Sequence, residues 1–224
     1  MWGGEFLRCT SQSYRRIAHL KQFKLLGGEA AIKEPRRAAL SLLFSLYGKR
    51  AFTLQNPVIK SFEKNELENL YLLYEKGINA PLSSSVGRLF DAVASLTGIC
   101  HKGTYEGESG LRMETCYDES ITECYPFEIV EGVIDWSMMV ENLLRENDPA
   151  RSVSKFFNTL VEIIYTVYCS EGLKLVLSGG VFQNATLLRL VIRKIPDVTV
   201  GGEIPVNDGG IAVGQAAYIM QDHL

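Results

Sequence analysis

The chain has 224 residues and a mass of 25.0 kDa, and 46% of its residues are hydrophobic. That suffices for a core without disulfide or metal staples, and it excludes the disordered, collagenous and coiled-coil classes. With 23 Lys+Arg against 26 Asp+Glu, a net charge of −3 and a pI near 5.7, nothing electrostatic favours nucleic acid or an anionic membrane as a partner.

In chain order, the first thirty residues read as irregular, with Gly3-Gly4, the Arg15-Arg16 pair and Gly27-Gly28. Pro35 suits the first turn of a helix, where its missing N–H costs nothing, and Arg36–Tyr47 follows with helical spacing up to Gly48. Asn65–Lys76 is a second amphipathic helix, with Leu67, Leu70, Tyr71 and Tyr74 on one face and Gly77 after it. Ser83-Ser84-Ser85 offers N-cap hydroxyls for a third, carrying Leu89, Val93 and Leu96 and ending at Gly98. Residues 99–126 give mixed signals. Phe127–Val130 reads as a short strand, Asp135 as the cap of a helix to about Arg145, and Pro149 and Ser152 as the opening of the longest helix, Val153–Cys169, closed by Gly172.

The last fifty residues have a clearer rhythm. Lys174–Leu177 is a short apolar strand, Ser178-Gly179-Gly180 a tight turn, and Asn184–Ile195 a helix; Val198–Val200 is a strand, Pro205–Gly210 a turn, and Ile211–Met220 a final helix of small residues. Strand, glycine turn and helix, repeated, are the grammar of an α/β layer that binds ligands at the carboxyl ends of its strands.

Cys9, Cys100, Cys116, Cys124 and Cys169 form no C-x-x-C pair, which argues for reduced thiols in a cytoplasmic protein rather than a zinc or redox motif. His19, His101 and His223 are scattered. No positively charged leader precedes an apolar run, and Leu40–Tyr47 is too short to span a bilayer, so neither a signal peptide nor a membrane anchor is expected.

Two turns carry most of the chemical interest. At Gly179-Gly180, glycines let backbone N–H groups approach a ligand while the following helix turns its positive end to the same place, which suits phosphate or nucleotide; a plain strand-to-helix turn is an equal reading. Asn184 can cap that helix or reach a ligand. Asp208 can cap its helix, hold a cation, or both, with capping the commoner use. Asp91 lies inside an amphipathic helix, three residues after Arg88, where a solvated face accounts for it. Glu106 and Glu108 flank Gly107 in a loop and read as solvated by default.

Read together, these stretches resemble the hydrogenase-maturation carbamoyltransferases, the HypF family. The resemblance rests on Ser83-Ser84-Ser85-Val86-Gly87-Arg88-Leu89-Phe90-Asp91-Ala92-Val93-Ala94, Tyr105-Glu106-Gly107, Leu177-Ser178-Gly179-Gly180-Val181-Phe182-Gln183-Asn184 and Pro205-Val206-Asn207-Asp208-Gly209-Gly210-Ile211-Ala212. Trp2-Gly3-Gly4-Glu5-Phe6 and the segment Gly27–Ala38 agree as well, in the family's order along the chain.

The resemblance implies an α/β lobe of the ASKHA (actin/Hsp70/sugar-kinase-like) class. The lobe would be truncated at its N-terminal side and carry several inserted helices. Residues 1–82 would be a helical insertion and connecting segment, and 83–224 the nucleotide-binding lobe. It further implies that carbamoyl phosphate and ATP give carbamoyl-adenylate in another domain. This domain would then pass the carbamoyl group to the C-terminal cysteine of a HypE-type maturation protein. By motif position, Gly179, Gly180 and Asn184 would contact the nucleotide, Asp91 and Gly107 would lie around its ribose and base, and Asp208 would be a ligand to a divalent metal (Fe, Zn or Mg).

Against the family's full pattern, this sequence starts downstream of a two-histidine metal motif and of the adenylate-forming domain. A partner chain carrying those parts is therefore expected, and Asp208 stands as a lone metal ligand. Phe156-Phe157-Asn158-Thr159-Leu160 departs from the usual Phe-His-Asn-Thr-Leu, and Glu108-Ser109-Gly110 replaces a Gln-Ala-Ala stretch. The readings are a piece of a split or longer carbamoyltransferase, a degenerate lobe serving as a scaffold, and, more weakly, a tRNA threonylcarbamoyl transferase.

Overall fold

The computed structural model describes residues 1–221 apart from Ser11, so His223 lies outside the described residues. The chain opens with an antiparallel hairpin, β1 (Glu5–Cys9) and β2 (Tyr14–Leu20), where the sequence reads as irregular. Two features hide the hairpin. Its turn is closed by Thr10 rather than by an Asn-Gly pair, with Ser13 N–H donating to Thr10 Oγ1 at 3.0 Å. A bulge between Phe6 and Leu7 also breaks the alternation of side chains.

Next come β3 (Phe23–Lys24), α1 (Ala30–Lys33), α2 (Pro35–Tyr47), a 3-10 turn (Gly48–Thr53), α3 (Pro57–Lys60), α4 (Lys64–Lys76) and β4 (Leu82–Ser83). Helix α2 begins at Pro35 and stops at Gly48, and α4 ends at a left-handed Gly77, all at the expected positions. Helix α5 (Val86–Leu96) is capped by Ser85, whose Oγ accepts the Arg88 N–H at 3.3 Å. Within the unreadable stretch lies α6 (Glu108–Glu114).

β5 (Glu128–Val130) turns through Glu131-Gly132, both at positive φ (51° and 79°), into β6 (Val133–Asp135), a strand the sequence does not reveal. Asp135 ends that strand; its Oδ1 accepts the Ser137 N–H at 2.7 Å, but α7 (Ser137–Leu143) is shorter than expected. Helix α8 (Pro149–Glu171) begins earlier than expected, capped by Asp148 rather than Ser152, and closes at Gly172. β7 (Val176–Leu177), a 3-10 turn (Gly180–Gln183), α9 (Ala185–Lys194), β8 (Thr199–Val200), a second short 3-10 turn (Asp208–Gly210) and α10 (Ile211–Gln221) complete the chain.

The main sheet has the order β1-β2-β6-β5, with β2 and β6 parallel and the outer pairs antiparallel; β3 pairs with β4, and β7 runs parallel to β8. The core centres on α2 packed against α5, each buried along nearly its whole length. Ala38, Ala39, Ala92 and Ala94 are fully buried, and small side chains let two helix backbones approach closely. Phe23 and Leu20 from the N-terminal strands, Trp136 before α7, and Phe156 and Phe157 from α8 join the same apolar body. Each such side chain contributes about 1.5–3 kcal/mol by leaving water.

Candidate functional site

The N-terminal residues are laced to the entry of α5. Ser84 N–H donates to the Met1 carbonyl, Val86 N–H to that of Gly3, and the Glu5 carboxylate accepts the Gly4 N–H at 2.8 Å and the Ser84 hydroxyl. Trp2–Phe6 and Ser83–Arg88 are thus two halves of one clasp, which sets the start of α5 and the position of Asp91 one turn further on.

Asp91 is not on a solvated face. It is 6% exposed, with Oδ2 lying 2.7 Å from Arg88 Nη1. The contact is an ion pair rather than a hydrogen bond of ordinary geometry. Burial pushes the Asp91 carboxyl up to about 6; Arg88 and the Ser109 hydroxyl pull it down, and Glu106 pushes it up. Desolvation therefore outweighs the ion pair. The other Arg88 nitrogen, Nη2, faces the exposed Glu106 at 3.9 Å, so the guanidinium bridges the two carboxylates.

Helix α6 starts at Gly107, in the left-handed region at φ 83°. Glu108, read from sequence as solvated, is buried instead. Its Oε2 accepts the Thr104 N–H at 2.6 Å and the Thr104 hydroxyl at 2.9 Å, and Arg112 lies 2.5 Å from Oε1. These donors, the Thr104 backbone first, hold its carboxyl below the ordinary range.

Asn184 takes the commoner of its two uses. Its Oδ1 caps α9 by accepting the Leu187 N–H at 2.9 Å, and its Nδ2 donates to the Gly110 carbonyl at 3.2 Å. Beside it, the Ala185 N–H donates to Glu114 Oε1 at 3.1 Å. The positive end of α9, where the sequence suggests a phosphate, therefore already faces a carboxylate of this chain. Gly179, at φ 109°, has a backbone only glycine adopts readily, and no atom lies within 4 Å of where a Cβ would stand. Its N–H is committed, though, donating to the Val206 carbonyl at 2.6 Å. That bond ties the glycine turn to the Pro205–Gly210 turn. In the latter it is Asn207, not Asp208, whose side chain caps, by accepting the Gly209 N–H at 3.0 Å; Asp208 is exposed.

The structure thus joins α5, α6 and the start of α9 at one place, bringing Asp91, Gly107 and Asn184 to one junction, with the 180–183 turn packed on α5. Sequence reasoning missed Ser109 and Glu114, which no motif marks, and Arg88 as the partner of Asp91, which the three-residue spacing does signal. As to ligands, the buried Asp91 carboxylate, ion-paired to Arg88, and the open space beside Gly107 and Gly179 fit a nucleoside with its hydroxyls. The metal fares differently. Among the described residues no three His, Cys, Asp or Glu side chains gather as a metal site, so Asp208 alone does not fit a divalent ion. No helix among them is long and apolar enough to cross a membrane.

Residues 1–215 match the family model described as "Carbamoyltransferase, Kae1-like Domain, second subdomain". The carbamoyltransferase HypF of Synechocystis sp. is 35% identical over 240 residues, covering 96% of this chain and 31% of its own. That of Rhodobacter capsulatus is also 35% identical, covering 96% of this chain and 29% of its own. A full-length HypF, crystallised in a phosphate- and nucleotide-bound form, superposes with a TM-score of 0.88 at 35% identity, over 97% of this chain and 36% of that one. The crystal structure of T. kodakarensis HypF does so at 0.76 and 26% identity, over 100% of this chain and 32% of that one. The fold is that of a Kae1-like α/β domain. The chain belongs to the HypF carbamoyltransferase family, and it spans about a third of the length of these relatives.

Proposed function

We propose that this chain forms one wall of the nucleotide site of a HypF-type carbamoyltransferase acting in NiFe hydrogenase maturation. The observation that carries the reading is the junction of α5, α6 and α9, where a buried carboxylate ion-paired to Arg88 lies among positions matching the family's motifs. Asp91 would accept the ribose hydroxyls of carbamoyl-adenylate, itself made from carbamoyl phosphate and ATP. Gly107, Gly179 and Gly180 would leave room for the base and the phosphate.

In the transfer, the C-terminal thiolate of a HypE-type partner attacks the carbamoyl carbon. A C–S bond forms, the C–O bond to the adenylate phosphate breaks, and AMP leaves with the electron pair. None of the five cysteines here is needed as a nucleophile. No step is assigned to a metal, because Asp208 lacks companions.

A second reading, a scaffold module without turnover, is favoured by Phe157. It is fully buried, edge-on to Phe90 and Tyr117, at the position where the family resemblance implies a histidine.

Calorimetric titration of wild type, Asp91→Asn and Asp208→Ala with AMP and ATP, with and without divalent metal, tests the first reading. We expect weak binding, lowered at least tenfold in Asp91→Asn and indifferent to metal and to Asp208→Ala in the chain alone. Adding the remaining part of the enzyme should restore carbamoyl transfer, read as a mass increase on the partner's cysteine. Absence of nucleotide binding even in the completed enzyme would leave the scaffold reading.

A further inference from the structure

Among the described residues, Arg88 is the one cation within ion-pair distance of Asp91. The other guanidinium at the junction, Arg112, is paired with Glu108. The Arg88 side chain is 12% exposed and that of Asp91 8%, so their attraction acts largely out of water and is screened little by salt. Local geometry holds the pair in place. The two residues are three apart on α5, hence on one face, and the Ser85 Oγ that accepts the Arg88 N–H fixes where the helix begins.

The other groups facing Asp91 supply no positive charge. From α6 and the loop before it come the Ser109 hydroxyl, the Cys100 thiol and the Glu106 carboxylate; from α8, Phe156 and Phe157 pack on the neighbouring Phe90. Burial thus favours the neutral acid, and Arg88 opposes it. Which form is present decides what Asp91 can hold. An ionised carboxylate has about four lone-pair sites, so pairing with Arg88 still leaves acceptors for two hydroxyls, each in a charge-assisted hydrogen bond. A protonated carboxyl turns one of its oxygens into a donor and loses the charge.

We infer that Arg88 is a positioning residue of the nucleotide site, holding Asp91 at neutral pH as an oriented carboxylate that accepts both hydroxyls of a ribose. For its ligand the inference rests on the proposed function; the hold on the charge of Asp91 rests on the ion pair alone. With its carboxyl at about 6, Asp91 is about nine-tenths ionised at pH 7. Removing an adjacent arginine raises a carboxyl by about one to three pH units, which leaves it mostly neutral at pH 7 and ionised again only near pH 9 or above. A nucleoside should then bind in proportion to the ionised fraction.

The test uses the whole chain, as wild type, Arg88→Gln and Arg88→Lys, with Arg88→Met in place of Arg88→Gln if the latter does not fold. The carbon resonance of the Asp91 carboxyl, followed by NMR from pH 4 to 9, reads its ionisation without any ligand. Calorimetric titration with adenosine at pH 7 and pH 9 reads binding. We expect the Asp91 midpoint to rise by one pH unit or more in Arg88→Gln and to return to within half a unit of wild type in Arg88→Lys. Adenosine affinity in Arg88→Gln should fall about tenfold at pH 7 and recover most of that loss at pH 9. A midpoint that does not move in Arg88→Gln overturns the inference. So does an affinity lowered by the same factor at both pH values, which would make Arg88 a merely structural residue. A midpoint that moves as expected in a protein that binds no adenosine at either pH would leave the hold on Asp91 standing and remove the functional reading.

Discussion

Replacing Asp91 by Asn should stabilise the fold while damaging the site. The carboxyl is pushed up to about 6 from an ordinary 3.8, almost wholly buried, with desolvation the leading cause. A carboxyl raised in the folded state contributes stability that is fully present below pH 3.8 and is lost as pH rises through about 6. At pH 7 the ionised form thus costs about 3 kcal/mol relative to the neutral one. That figure already contains the attraction to Arg88, since the pair is intact in the state whose ionisation is considered.

Asparagine copies the neutral acid in shape. The variant should therefore be more stable than wild type by up to about 3 kcal/mol at pH 7, with the difference shrinking to near zero by about pH 4. For a 224-residue chain that is a rise of several degrees in Tm. Urea denaturation followed by circular dichroism across pH 4 to 8 measures it, and comparing the two proteins cancels the carboxylates that titrate alike in both. A variant less stable than wild type at pH 7, or a difference flat with pH, would refute the reasoning and show that the Arg88 pair outweighs desolvation.

Asn184→Ala removes both the α9 cap and the tie to Gly110 and should cost about 1–2 kcal/mol in urea denaturation, whereas Asn184→Asp keeps the cap and should recover about half. Gly4→Ala places a Cβ against the Ser84 carbonyl oxygen, with Leu20 and Val86 close by. Because the main obstacle is backbone, the clasp must shift, and the expected loss is about 1–3 kcal/mol by thermal unfolding. Phe157→His puts an imidazole into a fully buried aromatic cluster. It should cost about 2–4 kcal/mol at pH 8 and more at pH 5, where the ring must stay neutral against its tendency to protonate.

Helices with strong punctuation were legible: Pro35 and Gly48, Ser85, and Gly172 bound α2, α5 and α8 as their chemistry implies. The N-terminal hairpin and β6 were not, because their turns lack an Asn-Gly signal, the hairpin is interrupted by a bulge, and β6 is only three residues long. In the site, the motifs marked Asp91, Asn184 and the glycine turn, but not the burial of Asp91 or Glu108. A carboxylate on a helix looks alike in sequence whether water or α6 lies opposite, and only the packing of α5 on α6 decides. Asn184 shows the reverse. Its capping role follows from local chain geometry alone, so a local rule read it correctly.

The charges around the junction explain why this wall should bind an adenylate poorly alone. Asp91, Glu108 and Glu114 are carboxylates, and the cations beside the first two are committed: Arg88 to Asp91 and Glu106, Arg112 to Glu108. The end of α9, which would otherwise attract a phosphate, already faces Glu114. A nucleoside adds no charge to such a site, whereas each phosphate charge meets net repulsion of about 0.5–1 kcal/mol at surface dielectric, a factor of about two to five in Kd. The isolated chain should therefore rank adenosine above AMP and AMP above ATP, with the gaps narrowing as salt rises from 50 to 500 mM. Titrations with the three ligands at both salts measure this. Preference for ATP in the chain alone would mean that an uncommitted positive group faces the site. Preference that reverses toward AMP only when the other subdomain is added would place the phosphate's counter-charge on that partner.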